Sequence, residues 1–240
     1  MPPVTPLALS LAALTAFAPL ATAQVQLASA PVAAHTIEAP GHTAYAGLYA
    51  TDGGMVEVRD ARGGLVIVAH GAEIASALAP LATTDAALDA RTEALLDSWT
   101  LDDLATIVQA VRPSQREVAA ASFAAYRAAL VRGRGAVVAG SVIGTFEQTD
   151  GRPVTLVQML FERGAEWASF VWDESGDLVT ITRGLSPVIV GTAQATGADT
   201  YRAQDQPLAF EREADGRVHT LRVGDHLSAQ MMVGVPYTEE

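Results

Sequence analysis

Apolar and polar positions alternate with a period of two in residues 44–71, shift to a period near 3.6 between about 85 and 133, and return to a period of two from about 136 onward. In the first segment Met55, Glu57 and Arg59 alternate against Val56 and Val58. Asp52-Gly53-Gly54 and Arg62-Gly63-Gly64 supply turn residues, so three short antiparallel strands are predicted. In the helical segment Leu88, Thr92, Leu95 and Trp99 fall on one face and predict a helix over about 85–98. Thr100, with Asp103 three residues on, is placed to cap a second helix with the stripe Leu101, Leu104, Val108 and Val111, which Pro113 ends. Ser114 and Glu117 read as the capping box of a third, with Ala119, Phe123, Tyr126 and Leu130 on one face and an end near Gly133. Strands are predicted at 136–147, 153–162, 166–173, 177–183, 187–194, 207–213 and 217–223, separated by Asp150-Gly151, Arg163-Gly164, Ser175-Gly176 and Asp215-Gly216.

Strands, then helices, then strands again argue for an α+β fold rather than a doubly wound α/β sheet. The expected form is three helices packed on a curved antiparallel sheet, with a small antiparallel β-barrel formed by the flanking strands. At the N-terminus an apolar stretch from Leu7 to Leu20 leads to Ala21-Thr22-Ala23, the small-x-small pattern of a signal-peptidase site, although no Arg or Lys precedes it. Residues 1–23 are therefore read as a signal peptide, and 24–43 as an Ala/Pro-rich linker. Residues 4–23 are also just long enough to span a bilayer as an uncleaved anchor. No later apolar run approaches ~20 residues, so no membrane span is expected after cleavage, and the expected location is periplasmic or secreted.

Composition narrows the chemistry. The 240 residues carry 27 acids and 15 bases, a net charge of −12, which disfavours nucleic acid as a partner. All the bases are arginine. Without lysine there is no Schiff-base or lysine-base chemistry, and without cysteine there is no disulfide, thiolate nucleophile or Cys-based zinc site.

Two groups of residues carry a family resemblance. Tyr45-x-Gly47-x-Tyr49, Val56-x-Val58 and Gly64-Leu65, with Leu208-x-Phe210 and Asp215-Gly216-Arg217-Val218-x-x-Leu221-x-Val223, resemble the lipocalin-like accessory β domain of serine-β-lactamase-like hydrolases. The intervening helices, Val142-Ile143-Gly144-Thr145, Thr155-x-Val157, Phe161-Glu162-Arg163-Gly164 and Phe170-x-Trp172-Asp173 resemble the cone domains of the nuclear-transport-factor-2-like superfamily. The resemblance implies a discontinuous barrel, matched at 44–71 and 198–224 and bounded as 44–82 plus 198–235, interrupted by a cone-like domain at 83–197. It also implies a serine hydrolase as partner. The Ser-x-x-Lys nucleophile of those hydrolases cannot be present in a chain without lysine.

No Gly-x-Ser-x-Gly elbow, Walker or dinucleotide motif occurs; Gly140-Ser141-Val142-Ile143-Gly144 places its serine one residue early. His70-Gly71-Ala72-Glu73 has metal-like spacing, but the glycine makes it a turn rather than a helical ligand pair. No metal, cofactor or catalytic residue is assigned. Glu162 and Glu166 are expected to face each other across a tight turn, as are Asp173, Glu174 and Asp177, and both sets read as solvated turn carboxylates. Ala168, Phe170 and Trp172 share one strand face and Trp167, Ser169 and Val171 the other, so this strand should be covered on both sides. His219 shares a face with Leu221 and Val223 and is expected to point inward.

A candidate ligand pocket is therefore Trp99, Tyr126, Met159, Trp167, Phe170, Trp172 and His219, suited to a small apolar molecule. The leading reading is an exported, non-catalytic accessory or small-ligand-binding protein of the cell envelope. The alternatives are a cone-fold isomerase or hydrolase with a His or carboxylate in an apolar pocket, and a structural envelope protein that forms a homodimer.

Overall fold

The structure is a computed structural model that describes residues 42–232. The expected signal peptide, the expected linker up to Gly41 and the last residues of the 198–235 segment lie outside the described residues. The described chain belongs to one compact unit. Three antiparallel strands, β1 (Gly47–Thr51), β2 (Gly54–Ala61) and β3 (Gly64–His70), lead into four helices: α1 (Ala72–Leu78), α2 (Ala86–Thr100), α3 (Leu104–Gln109) and α4 (Arg116–Arg134). Nine strands follow: β4 (Val137–Gln148), β5 (Pro153–Phe161), β6 (Gly164–Trp172), β7 (Leu178–Arg183), β8 (Val188–Ala195), β9 (Thr200–Ala203), β10 (Gln206–Arg212), β11 (Val218–Val223) and β12 (Leu227–Met231).

The strands β3-β2-β1-β12-β11-β10-β9-β8 are hydrogen-bonded in that order, and β3 pairs back onto β8, closing an eight-stranded antiparallel barrel. The flanking pieces meet directly where Tyr49 lies opposite Met231. From β8 the sheet also continues outward as β4-β5-β6-β7. Thus β8, expected to belong to the inserted part alone, is a barrel strand as well. The described residues are mostly β, with four α-helices among them rather than three. The unforeseen α1 has only seven residues; it turns the chain over the barrel mouth and buries Ile74 and Leu78.

Local signals explain most boundaries. Asp85 caps α2 by accepting from Ala87 N and Leu88 N at 3.0 and 3.1 Å. Gly135, at φ 84°, ends α4 in the left-handed region that glycine enters without strain. Two expected caps are not formed. Thr100 is the last residue of α2, its hydroxyl donating to Leu96 O at 2.9 Å, and Asp103 caps α3 instead, accepting from Thr106 N. Ser114 lies in a 3-10 turn over Pro113–Gln115, and α4 begins without a side-chain cap.

There are two cores. The first fills the barrel with Tyr49, Leu65, Ile67, Leu208, Phe210 and Leu221 and extends to Phe146, Val154, Leu156 and Val171 on one face of the second sheet. At one barrel mouth Ile74 of α1 lies against Gly54. At the other, the Tyr45 hydroxyl donates to Ala198 O at 2.5 Å and lies 3.0 Å from Asp199 Oδ1, and the Arg212 guanidinium lies over the Tyr45 ring. Eight strands give a barrel whose interior is just wide enough to be filled by side chains or to hold one small ligand; here side chains fill it and both mouths are covered. The second core lies between the helices and the opposite sheet face, where Leu95, Trp99, Ile107, Phe123 and Leu130 meet Met159, Phe170 and Trp172.

A directional chain of hydrogen bonds crosses that second core. The Trp172 indole N–H donates to Thr155 Oγ1 at 2.9 Å, and Thr145 donates to Asp89 Oδ1 on α2 at 2.7 Å. Because the Thr145 proton is committed to Asp89, the 2.7 Å contact between the two threonines must be donated by Thr155. Every donor in the chain finds an acceptor, and α2 is tied to β4, β5 and β6.

Candidate binding groove

The seam between barrel and second sheet lies on β8. One edge of β8 pairs with β3 from Val188 to Ala193, with a bulge at Val190. The other edge pairs with β4 only at Val188 and Ile189, and with β9 only at Gln194 and Ala195. Between these contacts β4 and β9 diverge, and the gap-facing edge of Val190–Thr192 has no strand partner, while Ala193 turns its carbonyl to Gly64 of β3. No loop backbone among the described residues hydrogen-bonds to it either. Backbone N–H and C=O groups almost always find partners, so a row of open ones facing solvent is a ready binding surface.

The gap opens into a cavity of about 300 Å³ lined by Leu81–Thr83, Thr145–Glu147, Ile189–Thr192 and Gln204. It adjoins a second of about 200 Å³ that shares Thr83, Thr145, Phe146 and Glu147 and adds Asp85, Gly151 and Pro153. The chain after α1 closes one side: Leu81 O lies where a side chain on Gly191 would have to go, 2.7 Å from the Cβ position. Gln204 closes another and donates to Thr83 Oγ1. Its backbone sits at φ 51°, in the left-handed region that non-glycine residues seldom enter, a strain often found at ligand sites. The ionisable side chains of the two cavities are Asp85 and Glu147, with no base. Asp85 is partly committed to capping α2, whereas Glu147 stands exposed at the rim.

The residues predicted to line a pocket are placed differently. Trp99, Met159, Phe170 and Trp172 are fully buried in the second core, with Tyr126 packed against it. They touch one another, Trp99 against Tyr126 and Phe170 against Trp172, and none of them lines the groove. Trp167 is on the opposite sheet face, half-buried against the barrel core, so the expected division of faces holds while the shared pocket does not. His219 does not point inward. The register shift between β10 and β11 makes it the extra residue of a bulge, so Val218 turns into the barrel in its place. It lies 3.1 Å from Thr220 Oγ1 and 3.6 Å from Glu213. Burial pushes the Tyr126 phenol up to about 12, and its hydroxyl and the Trp99 indole N–H have no hydrogen-bond partner among the described residues.

The turn carboxylates are not all solvated: the Asp173 side chain is 12% exposed and Arg112 reaches it at 2.7 Å. Asp173 accepts from the backbone N–H groups of Ser175 and Asp177. Glu162 and Glu166 do not face each other: Glu162 packs against Gly135, while Glu166 is held between Arg134 and Arg183 at 2.7 and 2.6 Å. The pairing of a histidine with a buried acid falls on the outside of the barrel. Glu57, only 4% exposed, accepts from Arg59 at 2.8 Å and from His70 Nε2 at 2.7 Å. Burial pushes its carboxyl up, but the hydrogen bonds from Arg59 and His70 outweigh this and hold it below the usual range. Among the described residues no group of three or more His, Asp or Glu gathers to hold a metal. No described helix is long and apolar enough to cross a membrane.

The groove residues Thr83, Thr145, Glu147, Thr192 and Gln204 were not singled out by the sequence pattern. The one local signal is Gln204-Asp205 at a hairpin turn where glycine would be easier. Fold and groove together define a class: a closed, filled antiparallel barrel joined through one shared strand to a helix-covered sheet, with an open seam between them. No protein-family model, no curated protein and no solved structure matches the chain.

Proposed function

We propose that this chain is an exported, non-catalytic accessory protein of the cell envelope that binds its partner in the groove along β8. One observation carries the reading: open hydrogen-bonding groups within Val190–Thr192 face an accessible cavity, while the apolar interiors are occupied by the protein's own side chains. The ligand is accordingly polar, not the small apolar molecule suggested by the aromatic content. The closed barrel fits the lipocalin-like resemblance, and with it a partner hydrolase; the helices over the second sheet are the counterpart of the cone-like insertion. Titration of isotope-labelled protein with small neutral, cationic and anionic solutes tests the reading. Amide shifts should concentrate at 81–85, 145–147, 189–192 and 204, and shifts centred on Trp99 and Phe170 would contradict it.

A homodimer is the second reading, favoured by the sheet face that lacks helices. There Leu160 is 47% exposed beside half-buried Trp167, with Val138, 55% exposed, in the adjoining bulge of β4. Light scattering should then give twice the monomer mass, and a monomer at high concentration removes that reading.

A further inference from the structure

We propose that the occupant of the groove is a short basic peptide segment, two or three residues of another polypeptide, that hydrogen-bonds along the open edge of β8 and places an arginine or lysine against Glu147. The proposal rests on the reading of the groove as the binding site and names the chemistry that site takes. The first support is backbone geometry. The peptide groups on one edge of an extended strand come from alternate residues, about 6.6 Å apart, each offering an N–H and a C=O side by side, and another peptide backbone matches that donor-acceptor pair while a sugar or a lone amine does not. The second is the length of the opening. Because β4 and β9 both return to β8, at Ile189 and Gln194, and the Ala193 carbonyl turns to Gly64 of β3, only the gap-facing groups within Val190–Thr192 are open, so a segment must enter and leave out of the sheet plane. A long added strand is excluded. The third is charge: the lining acids are Asp85 and Glu147, no base is present, and the chain carries −12 overall, which draws cations and repels phosphate or carboxylate ligands. Phe146, Ile189 and Pro153 give the segment's neighbouring side chains apolar contact.

The test uses the full chain, isotope-labelled, titrated separately with acetyl-Ala-Arg-Ala-amide, its Glu counterpart, the backbone N-methylated Arg peptide, agmatine and glucose. The Arg peptide should shift the amides of Ile189–Thr192 and Gln204 and bind roughly tenfold more tightly than the Glu and N-methylated peptides. Glu147→Gln, an exposed substitution that leaves the fold intact, should weaken the Arg peptide several-fold and leave the Glu peptide unchanged. Agmatine binding as tightly as the Arg peptide overturns the backbone part, and equal affinity for Glu and Arg peptides overturns the charge part. Shifts at the groove with glucose alone overturn the peptide proposal while leaving the groove as the binding site. No shift at the groove with any probe overturns both.

Discussion

The two cores treat their polar groups differently. In the barrel the buried hydroxyls are satisfied at the ends: Tyr49 donates to Tyr45 O at 2.7 Å, and Tyr45 is enclosed by Ala198, Asp199 and Arg212. In the helix–sheet core one chain of bonds through Trp172, Thr155, Thr145 and Asp89 is complete, while Trp99 and Tyr126 are left with orphaned polar atoms. The barrel closes every strand onto a neighbour; the second sheet borrows the edge of β8 and leaves part of it open. The open edge arises where the two patterns meet, not inside either.

The strongest way to break this comparison is to empty one core. Trp172→Ala should destabilise by about 3–5 kcal/mol, through a large void and a lost hydrogen bond to Thr155. Urea unfolding should still show one transition, because Phe146, Leu156 and Val171 of the second sheet pack into the barrel core. Two separate transitions would show the cores to be independent. Next in size, Thr145→Val removes the link between Asp89 and Thr155 and should destabilise by about 1–3 kcal/mol, non-additively with Thr155→Val in a double-mutant cycle.

A smaller effect comes from Glu57. Its folded pKa is depressed, so its contribution is present above the usual glutamate range near ~4.3 and is lost as pH falls through the folded value. Acid unfolding followed by circular dichroism should show this loss in the native chain and lack it in Glu57→Gln. Smallest, Tyr126→Phe should be neutral or stabilising by up to ~1 kcal/mol, since it deletes an orphaned hydroxyl. Tyr49→Phe, which deletes a bonded one, should destabilise by ~1 kcal/mol. Equal losses from both in thermal melts would erase the difference between the cores.

Much of this fold is legible in the sequence because its elements are local. The β1–β3 hairpins follow from Asp52-Gly53-Gly54 and Arg62-Gly63-Gly64, and the two-faced burial of β6 follows from period two alone. What stays hidden is set by distant partners or by one inserted residue. The bulge at His219 reverses which neighbour points inward, and nothing near it in the sequence marks the change. Trp167 and Trp172 look like members of one pocket by proximity, yet odd spacing puts them in different layers. The groove is illegible for the same reason: its open edge depends on β4 and β9, some forty residues before and ten after, both leaving β8 at particular pairs.

The central claim, two filled cores and one open seam, is tested most directly by amide hydrogen exchange along β8 in the full chain. The gap-facing amides within Val190–Thr192 should exchange among the fastest of any strand residue, while Val188–Ile189 and Gln194–Ala195 stay protected. Uniform protection from 188 to 195 would mean the edge is already paired, and would contradict the account.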